Sequence, residues 1–156
     1  MLLYLLRHAE AEPHSSDDNS RRLTEKGRDQ SERVGKFLTS QGLKPDLILT
    51  SPVTRARETA GIVAKKLGDA EVIQVPWLAC GMDPGTALGE LAGYSRFESV
   101  MIVGHEPDFS SLVTDLLGAG SSATINISKA SLTAMDLSRF VSGGGVLKFL
   151  LPVKLM

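Results

Sequence analysis

Apolar residues in this chain of 156 residues gather in two ways, as short unbroken runs and as stripes three and four positions apart. Residues 1–6 form such a run, Met-Leu-Leu-Tyr-Leu-Leu, which stops at Arg7-His8. A run of that length without polar alternation predicts a strand buried on both faces. Comparable runs follow at 46–50, 71–75 and 99–104, the last stopping at Gly104-His105. Helical stripes lie between them. Thr24 is placed to cap a helix with Val34, Phe37, Leu38 and Gln41 on one face, and Gly42 to end it. Ser51 as cap and Pro52 in the first helical position open a second, striped by Ala56, Ala60, Val63, Ala64 and Leu67 and ended by Gly68. Asp83-Pro84 starts a short third through Ala87, Leu88 and Leu91. Pro107 and Asp108 start a fourth, with Phe109, Leu112, Val113, Leu116 and Leu117 on its apolar face and Gly118 at its end.

The pattern changes near the C-terminus. Ile125, Ile127 and then residues 131–137 read as strand, Gly143-Gly144-Gly145 as a turn, and 146–151 as a further strand ended by Pro152. Buried runs alternating with helical stripes predict an α/β fold, a three-layer α/β/α arrangement with a mainly parallel sheet. The glycine-rich turn predicts an antiparallel hairpin over about residues 131–151 at the sheet edge. The length suits a single domain over 1–156.

Composition narrows the classes. A net charge of -1 gives no general attraction to nucleic acid or to an anionic membrane. The single cysteine, Cys80, excludes an internal disulfide and suits a reducing compartment. No apolar stretch reaches the roughly 20 residues of a transmembrane helix. The apolar start lacks a basic lead and is interrupted by Arg7-His8-Ala9-Glu10, unlike a signal peptide. The expectation is a cytoplasmic protein.

Parallel strands joined by right-handed crossovers bring their C-terminal ends to one edge of the sheet, where open α/β sheets bind ligands. Arg7-His8, Arg55 in the first turns of its helix, and His105 would converge there. Their natural guest is a compact dianion such as phosphate, with the helix starts near Pro52 and Pro107 adding backbone N–H groups. Two histidines also suit a metal, but the neighbouring arginines repel a cation, so no metal is expected. A neutral imidazole can attack phosphorus and form a phosphohistidine that water then splits. Its other nitrogen must be held by an acceptor, such as a nearby backbone carbonyl. His8, directly after a strand and closely flanked by main chain, is the candidate nucleophile, and His105 a protonated or donating partner. The polar stretch with Glu10, Glu12, His14, Asp17 and Asp18 reads mainly as a solvated loop, and Trp77 and Cys80 as packing residues.

Four segments carry a resemblance. Leu6-Arg7-His8-Ala9-Glu10 resembles the R-H-G/A signature of the histidine phosphatase superfamily, which includes cofactor-dependent phosphoglycerate mutase. Residues 21–27, Arg-Arg-Leu-Thr-Glu-Lys-Gly, resemble its R-x-L-T-x-x-G. Residues 50–60 resemble its S-P-x-x-R-A-x-x-T-A, and 103–107 its V-G-H-x-P. Short length and the R-R-L-T spacing look most like the SixA-type phosphohistidine phosphatases. The resemblance implies His8 as phosphorylated nucleophile, with Arg7, Arg55 and His105 holding the phosphoryl group and Arg21 as an auxiliary contact. It implies no metal and no cofactor, and as partner a phosphorylated protein with a phosphohistidine-containing domain, or a small phosphorylated substrate.

One departure bears on the substrate. Larger relatives carry a glutamate acid some twenty residues after S-P-x-x-R-A. Here that region is Val-Pro-Trp-Leu-Ala-Cys-Gly-Met-Asp, with Asp83 its only acid. A phosphate ester needs help to protonate its leaving alkoxide. Phosphohistidine leaves as an imidazole that takes its own proton near neutral pH, so the gap favours an N–P bond. Residues 76–98 are also too short for a large lid. A small-molecule phosphomonoesterase acting on a sugar phosphate or nucleotide, a non-catalytic phosphate-recognition module and a metallohydrolase stand as alternatives.

Overall fold

The computed structural model describes residues 1–13, 17–120 and 124–156, so His14 lies outside the described residues. Strands β1 (Leu2–Arg7), β2 (Leu47–Thr50), β3 (Val72–Gln74), β4 (Ser99–Gly104), β5 (Leu132–Leu137) and β6 (Gly145–Leu151) form one sheet in the order β3-β2-β4-β1-β5-β6. The first four run parallel, and β5 is antiparallel to both β1 and β6. Helices α1 (Glu25–Ser40), α2 (Thr54–Lys66), α3 (Pro84–Ala92) and α4 (Asp108–Leu116) complete three layers.

The unbroken apolar runs follow from burial on both faces, because alternate side chains of one strand point opposite ways. Leu3, Leu5, Leu49 and Ile102 pack with Leu88 and Leu91 of α3 and Phe109 and Leu112 of α4. Tyr4, Leu6, Ile48, Met101 and Val103 pack on the other side with Val34 and Leu38 of α1 and Ala56, Ala60 and Val63 of α2. Burial of each large aliphatic side chain stabilises the fold by about 1.5–3 kcal/mol. Register sets the functional edge: Arg7 lies level with Gly104, and Thr50 with Val103. His8, Ser51 and His105 therefore leave the sheet at the same height.

Several local expectations need correction. On α1 the buried face runs through Ser31, Val34, Gly35 and Leu38, while Gln41 is exposed and caps the C-terminus. Gly35 is there because a Cβ would come within 2.6 Å of the Lys66 Cβ on α2. Helix α2 starts at Thr54 rather than Pro52, and Ser51 is not its cap. The Ser51 hydroxyl instead accepts from the Val53 N–H (3.2 Å) and faces His105. Leu117 caps α4 and is 36% exposed. Ile125 and Ile127 lie in irregular chain, not in a strand. Both join the core, Ile127 buried and Ile125 packed partly against it, which is what their hydrophobicity reported. Among the described residues no helix is long and apolar enough to cross a membrane.

Candidate active site

Residue 8 sits where β1 runs out. Its N–H donates to the Gly104 carbonyl at 3.0 Å, continuing the β1–β4 ladder by one residue. On the other side the Ala130 N–H reaches the carbonyls of Arg7 (3.2 Å) and His8 (3.3 Å). Ala130 is fully buried with φ +56°, a left-handed conformation that costs a residue with a Cβ about 1–2 kcal/mol. The chain thus accepts strain to clamp the main chain around His8.

Within that clamp, His8 Nδ1 lies 2.8 Å from the Ala9 carbonyl. A carbonyl only accepts, so Nδ1 carries the proton and Nε2 presents a lone pair. Arg55 Nε donates to that Nε2 at 3.2 Å. Burial pushes the His8 pKa down to about 3; the Ala9 carbonyl opposes this, while His105, Arg55 and Arg7 add to it. His8 is a neutral imidazole at neutral pH, its unprotonated Nε2 accepting from Arg55. Ala9 is itself fixed, its N–H donating to Thr59 Oγ1 (3.1 Å) while the Thr59 hydroxyl donates to the Arg55 carbonyl (2.7 Å).

Arg55, the second residue of α2, is 4% exposed. Its Nη1 donates to the Asp18 carbonyl at 2.8 Å, and its Nη2 lies 3.2 Å from Asp18 Oδ2 and 3.5 Å from Cys80 Sγ. Arg21 binds the other Asp18 oxygen at 2.8 Å and donates to the Glu12 carbonyl at 2.9 Å. Against the upward push of burial, Arg55 and Arg21 hold the Asp18 carboxyl below its usual range. The adjacent arginines divide their tasks. Arg21 turns inward, and Arg22 pairs with Glu58 at 2.7 Å on the surface. Arg7 donates to the Ile127 carbonyl at 2.8 Å, and burial lowers its pKa, against which Glu106 pulls.

His105 is 2% exposed, and its ring centroid is 5.3 Å from that of His8. Burial pushes its pKa down to about 4; Arg55 adds to this, Asp18 opposes it, and Arg7 and Arg21 push further down. Its Nε2 meets Ser51 Oγ at 2.8 Å, and its Nδ1 is buried without a partner. Arg7 Nε and Arg21 Nε are likewise buried and unpartnered among the described residues. Buried donors call for acceptors. An oxyanion supplies several at once, so the arrangement can bind a phosphoryl group beside a neutral nucleophile. Among the described residues no three His, Cys, Asp or Glu side chains come together as a metal site.

The structure therefore gathers Arg7, His8, Arg55 and His105, with Arg21 joined through Asp18. Asp83 stands apart from them in role: its Oδ2 accepts the Thr86 N–H (2.8 Å) and hydroxyl (3.1 Å) as the cap of α3. Sequence reasoning missed Asp18 and Thr59 as members of the site. Thr59 had a signal, since it lies four residues after Arg55 and so on the same helix face. The second motif gains a physical meaning too. Thr24 caps α1 through the Gly27 N–H at 3.0 Å, and a Cβ on Gly27 would fall 1.9 Å from the Glu10 carbonyl oxygen. Only glycine lets α1 close on the loop that follows His8.

Known proteins share this framework. Residues 3–79 match the profile of the histidine phosphatase superfamily (branch 1). An uncharacterized protein of Picosynechococcus sp. (strain ATCC 27264 / PCC 7002 / PR-6) is 33% identical over 143 residues, covering 86% of this chain and 84% of that protein. The mitochondrial serine/threonine-protein phosphatase PGAM5 of Xenopus tropicalis is 39% identical over 69 residues, a stretch that covers 44% of this chain and 25% of that protein. The structure of the protein histidine phosphatase SixA complexed with tungstate superposes with a TM-score of 0.88 at 23% identity, over 99% of this chain and 98% of that one. With its first half on the family profile and a relative matched over most of both lengths, the chain belongs to the histidine phosphatase superfamily.

Proposed function

We propose that this protein removes the phosphoryl group from phosphohistidine on a protein substrate, through a covalent phosphohistidine at His8. The observation that carries the reading is the state of His8: Nδ1–H on the Ala9 carbonyl, Nε2 unprotonated and facing Arg55, and a pKa held near 3. In the first step the Nε2 lone pair bonds to phosphorus as the P–N bond to the substrate imidazole breaks. Arg55 must release Nε2 and turn its N–H groups to the phosphoryl oxygens. Arg7, Arg21 and the Nδ1–H of His105 supply the remaining donors. Ser51 permits that tautomer, because its oxygen accepts from Val53 and its proton can go to His105 Nε2. The leaving imidazole takes its own proton near neutral pH. Water then attacks phosphorus, the His8 N–P bond breaks, and inorganic phosphate departs.

Two features favour phosphohistidine over a phosphate ester. The one carboxylate in the segment where larger relatives keep an acid, Asp83, is engaged as a helix cap. The fold is also that of the protein histidine phosphatase SixA. A reducing, cytoplasmic setting accords with the lone Cys80. The test is a kcat/KM series across leaving groups. Phosphohistidine and aryl phosphates should turn over, and alkyl phosphates such as phosphoserine should lag by about 10²–10⁴-fold, the usual contribution of a general acid. Asp83→Asn should leave the phosphohistidine rate within about twofold. Fast alkyl-ester hydrolysis that collapses in Asp83→Asn would favour a small-molecule phosphomonoesterase instead.

A further inference from the structure

Beside the phosphoryl site, on the α1 side of the sheet, a cavity of about 640 Å³ opens directly from Arg7. Its wall includes Arg7, Glu10, Gln30, Lys129 and Lys154. The charges there do not cancel. Glu10 is already neutralised, with Lys26 at 2.9 Å and the Thr24 hydroxyl at 3.3 Å. Lys129 and Lys154 make no salt bridge among the described residues, and Arg7 Nε has no partner. Lys129 attracts Glu10 without a salt bridge to it, so the wall keeps Lys129 and Lys154 as cations outside any salt bridge among the described residues.

Both lysines are exposed, yet both stand on anchored turns. Lys129 precedes Ala130, whose N–H is fastened to the carbonyls of Arg7 and His8. The Ser128 and Ser131 hydroxyls close the same turn at 2.8 Å. The backbone that carries Lys129 is thus anchored next to His8. Lys154 rides on the 3-10 turn Val153–Leu155, pinned by buried Val153 in the core beneath α1. A second cavity of about 610 Å³ shares Gln30, Val153 and Lys154 and carries the concavity outward along α1 past Arg33. Together they make a track, one open concavity that runs from Arg7 across Gln30, Val153 and Lys154 and along α1. The outer cavity mixes charges, Lys26, Arg33, Lys36 and Lys154 with Asp29 and Glu32, whereas the wall beside Arg7 sets Arg7, Lys129 and Lys154 against Glu10.

We infer that this track receives the polypeptide around the phosphorylated histidine, and that Lys129 and Lys154 select substrates with acidic residues beside it. The inference rests on the reading of a protein substrate given above. Exposed charges of this kind act chiefly through encounter and orientation, and weaken with salt.

The probes are two synthetic phosphohistidine peptides, one flanked by glutamates and one by glutamines. The wild-type protein should prefer the glutamate peptide by about tenfold in kcat/KM, mainly through KM, and the preference should shrink as salt rises. It should vanish in Lys129→Gln/Lys154→Gln, reverse in Lys129→Glu/Lys154→Glu, and persist in the charge-keeping Lys129→Arg/Lys154→Arg. Equal rates on both peptides in wild type, or a preference that survives in the glutamine variant, would overturn it. Inhibition of aryl phosphate turnover by an unphosphorylated glutamate-rich peptide separates the two readings. If neither phosphopeptide is hydrolysed but this peptide still inhibits wild type and not the glutamine variant, the track stands and the proposed reaction falls. If the peptide fails to inhibit, the track falls by itself.

Discussion

Strands β1, β2 and β4 deliver side chains to the site, whereas the β5 side delivers chiefly main chain. On the parallel side, His8, Ser51 and His105 leave three neighbouring strands at one level, and Arg55 follows in the first turn of α2. On the antiparallel side, the Ile127 carbonyl holds Arg7 and the Ala130 N–H holds the carbonyls of Arg7 and His8. The first side owes its function to residue identity, the second to backbone shape. Substitutions should therefore act very differently on the two. A side chain removed from the first should cost chemistry. On the second, a change that keeps the backbone conformation should cost little.

Arg55→Ala breaks the first side most directly. It removes the guanidinium that touches His8 Nε2 and that is assigned to the phosphoryl oxygens. Loss of a preorganised donor to developing charge costs about 10²–10³-fold in kcat. Affinity for tungstate or vanadate should weaken by about 1.5–3 kcal/mol, read by calorimetry or competitive inhibition. A variant that keeps wild-type kcat would remove Arg55 from the chemistry.

Acid should strain the same side next. His8 and His105 have folded pKa values lowered to about 3 and about 4, below the unfolded value near 6.5. As pH falls below about 6.5, the unfolded chain takes up protons that the folded chain refuses, so stability drops. The slope is about 1.4 kcal/mol per pH unit for each histidine, until each folded group titrates, His105 before His8. At pH 5 each should have cost about 2 kcal/mol. Denaturant unfolding from pH 7.5 to 5 should show this loss, and His105→Asn should roughly halve it. A stability that is level across this range would contradict the buried neutral pair.

The smallest effect belongs to the second side. Ala130→Gly relieves the left-handed strain of about 1–2 kcal/mol. It also gives up a buried methyl, worth about 0.8 kcal/mol. It adds unfolded-chain freedom of about 0.4–1 kcal/mol. The net change should stay within about 1 kcal/mol with activity retained, as read from unfolding curves and aryl phosphate turnover. Ala130→Val, branched and buried at the same φ, should destabilise markedly. Equal tolerance of glycine and valine would mean that the turn does not depend on that conformation.

This contrast also explains what the sequence made legible. Buried runs and helical stripes are signals of side-chain identity, and they located the strands and helices to within a few residues. That Arg7, His8, Arg55 and His105 come together was legible because each stands at a strand end or helix start. Asp18 gave no such signal, since a carboxylate in a polar loop looks like any solvated acid until Arg55 and Arg21 are seen on it. Ile127 and Ala130 contribute through carbonyl and N–H groups that every residue possesses, so no pattern could single them out. Ser51 misled in the opposite sense. A serine before a proline reads as a helix cap, but its hydroxyl serves His105 as well as Val53.

The central claim is that His8 Nε2 becomes covalently phosphorylated. Rapid acid-free quench of the wild-type protein with a phosphorus-labelled aryl phosphate, followed by phosphorus NMR and peptide mapping, tests it most directly. The account predicts an acid-labile, base-stable adduct on His8 through Nε2, formed and lost at rates compatible with turnover and absent from folded His8→Ala. Turnover in His8→Ala at the wild-type rate, or label carried by another residue, would contradict it.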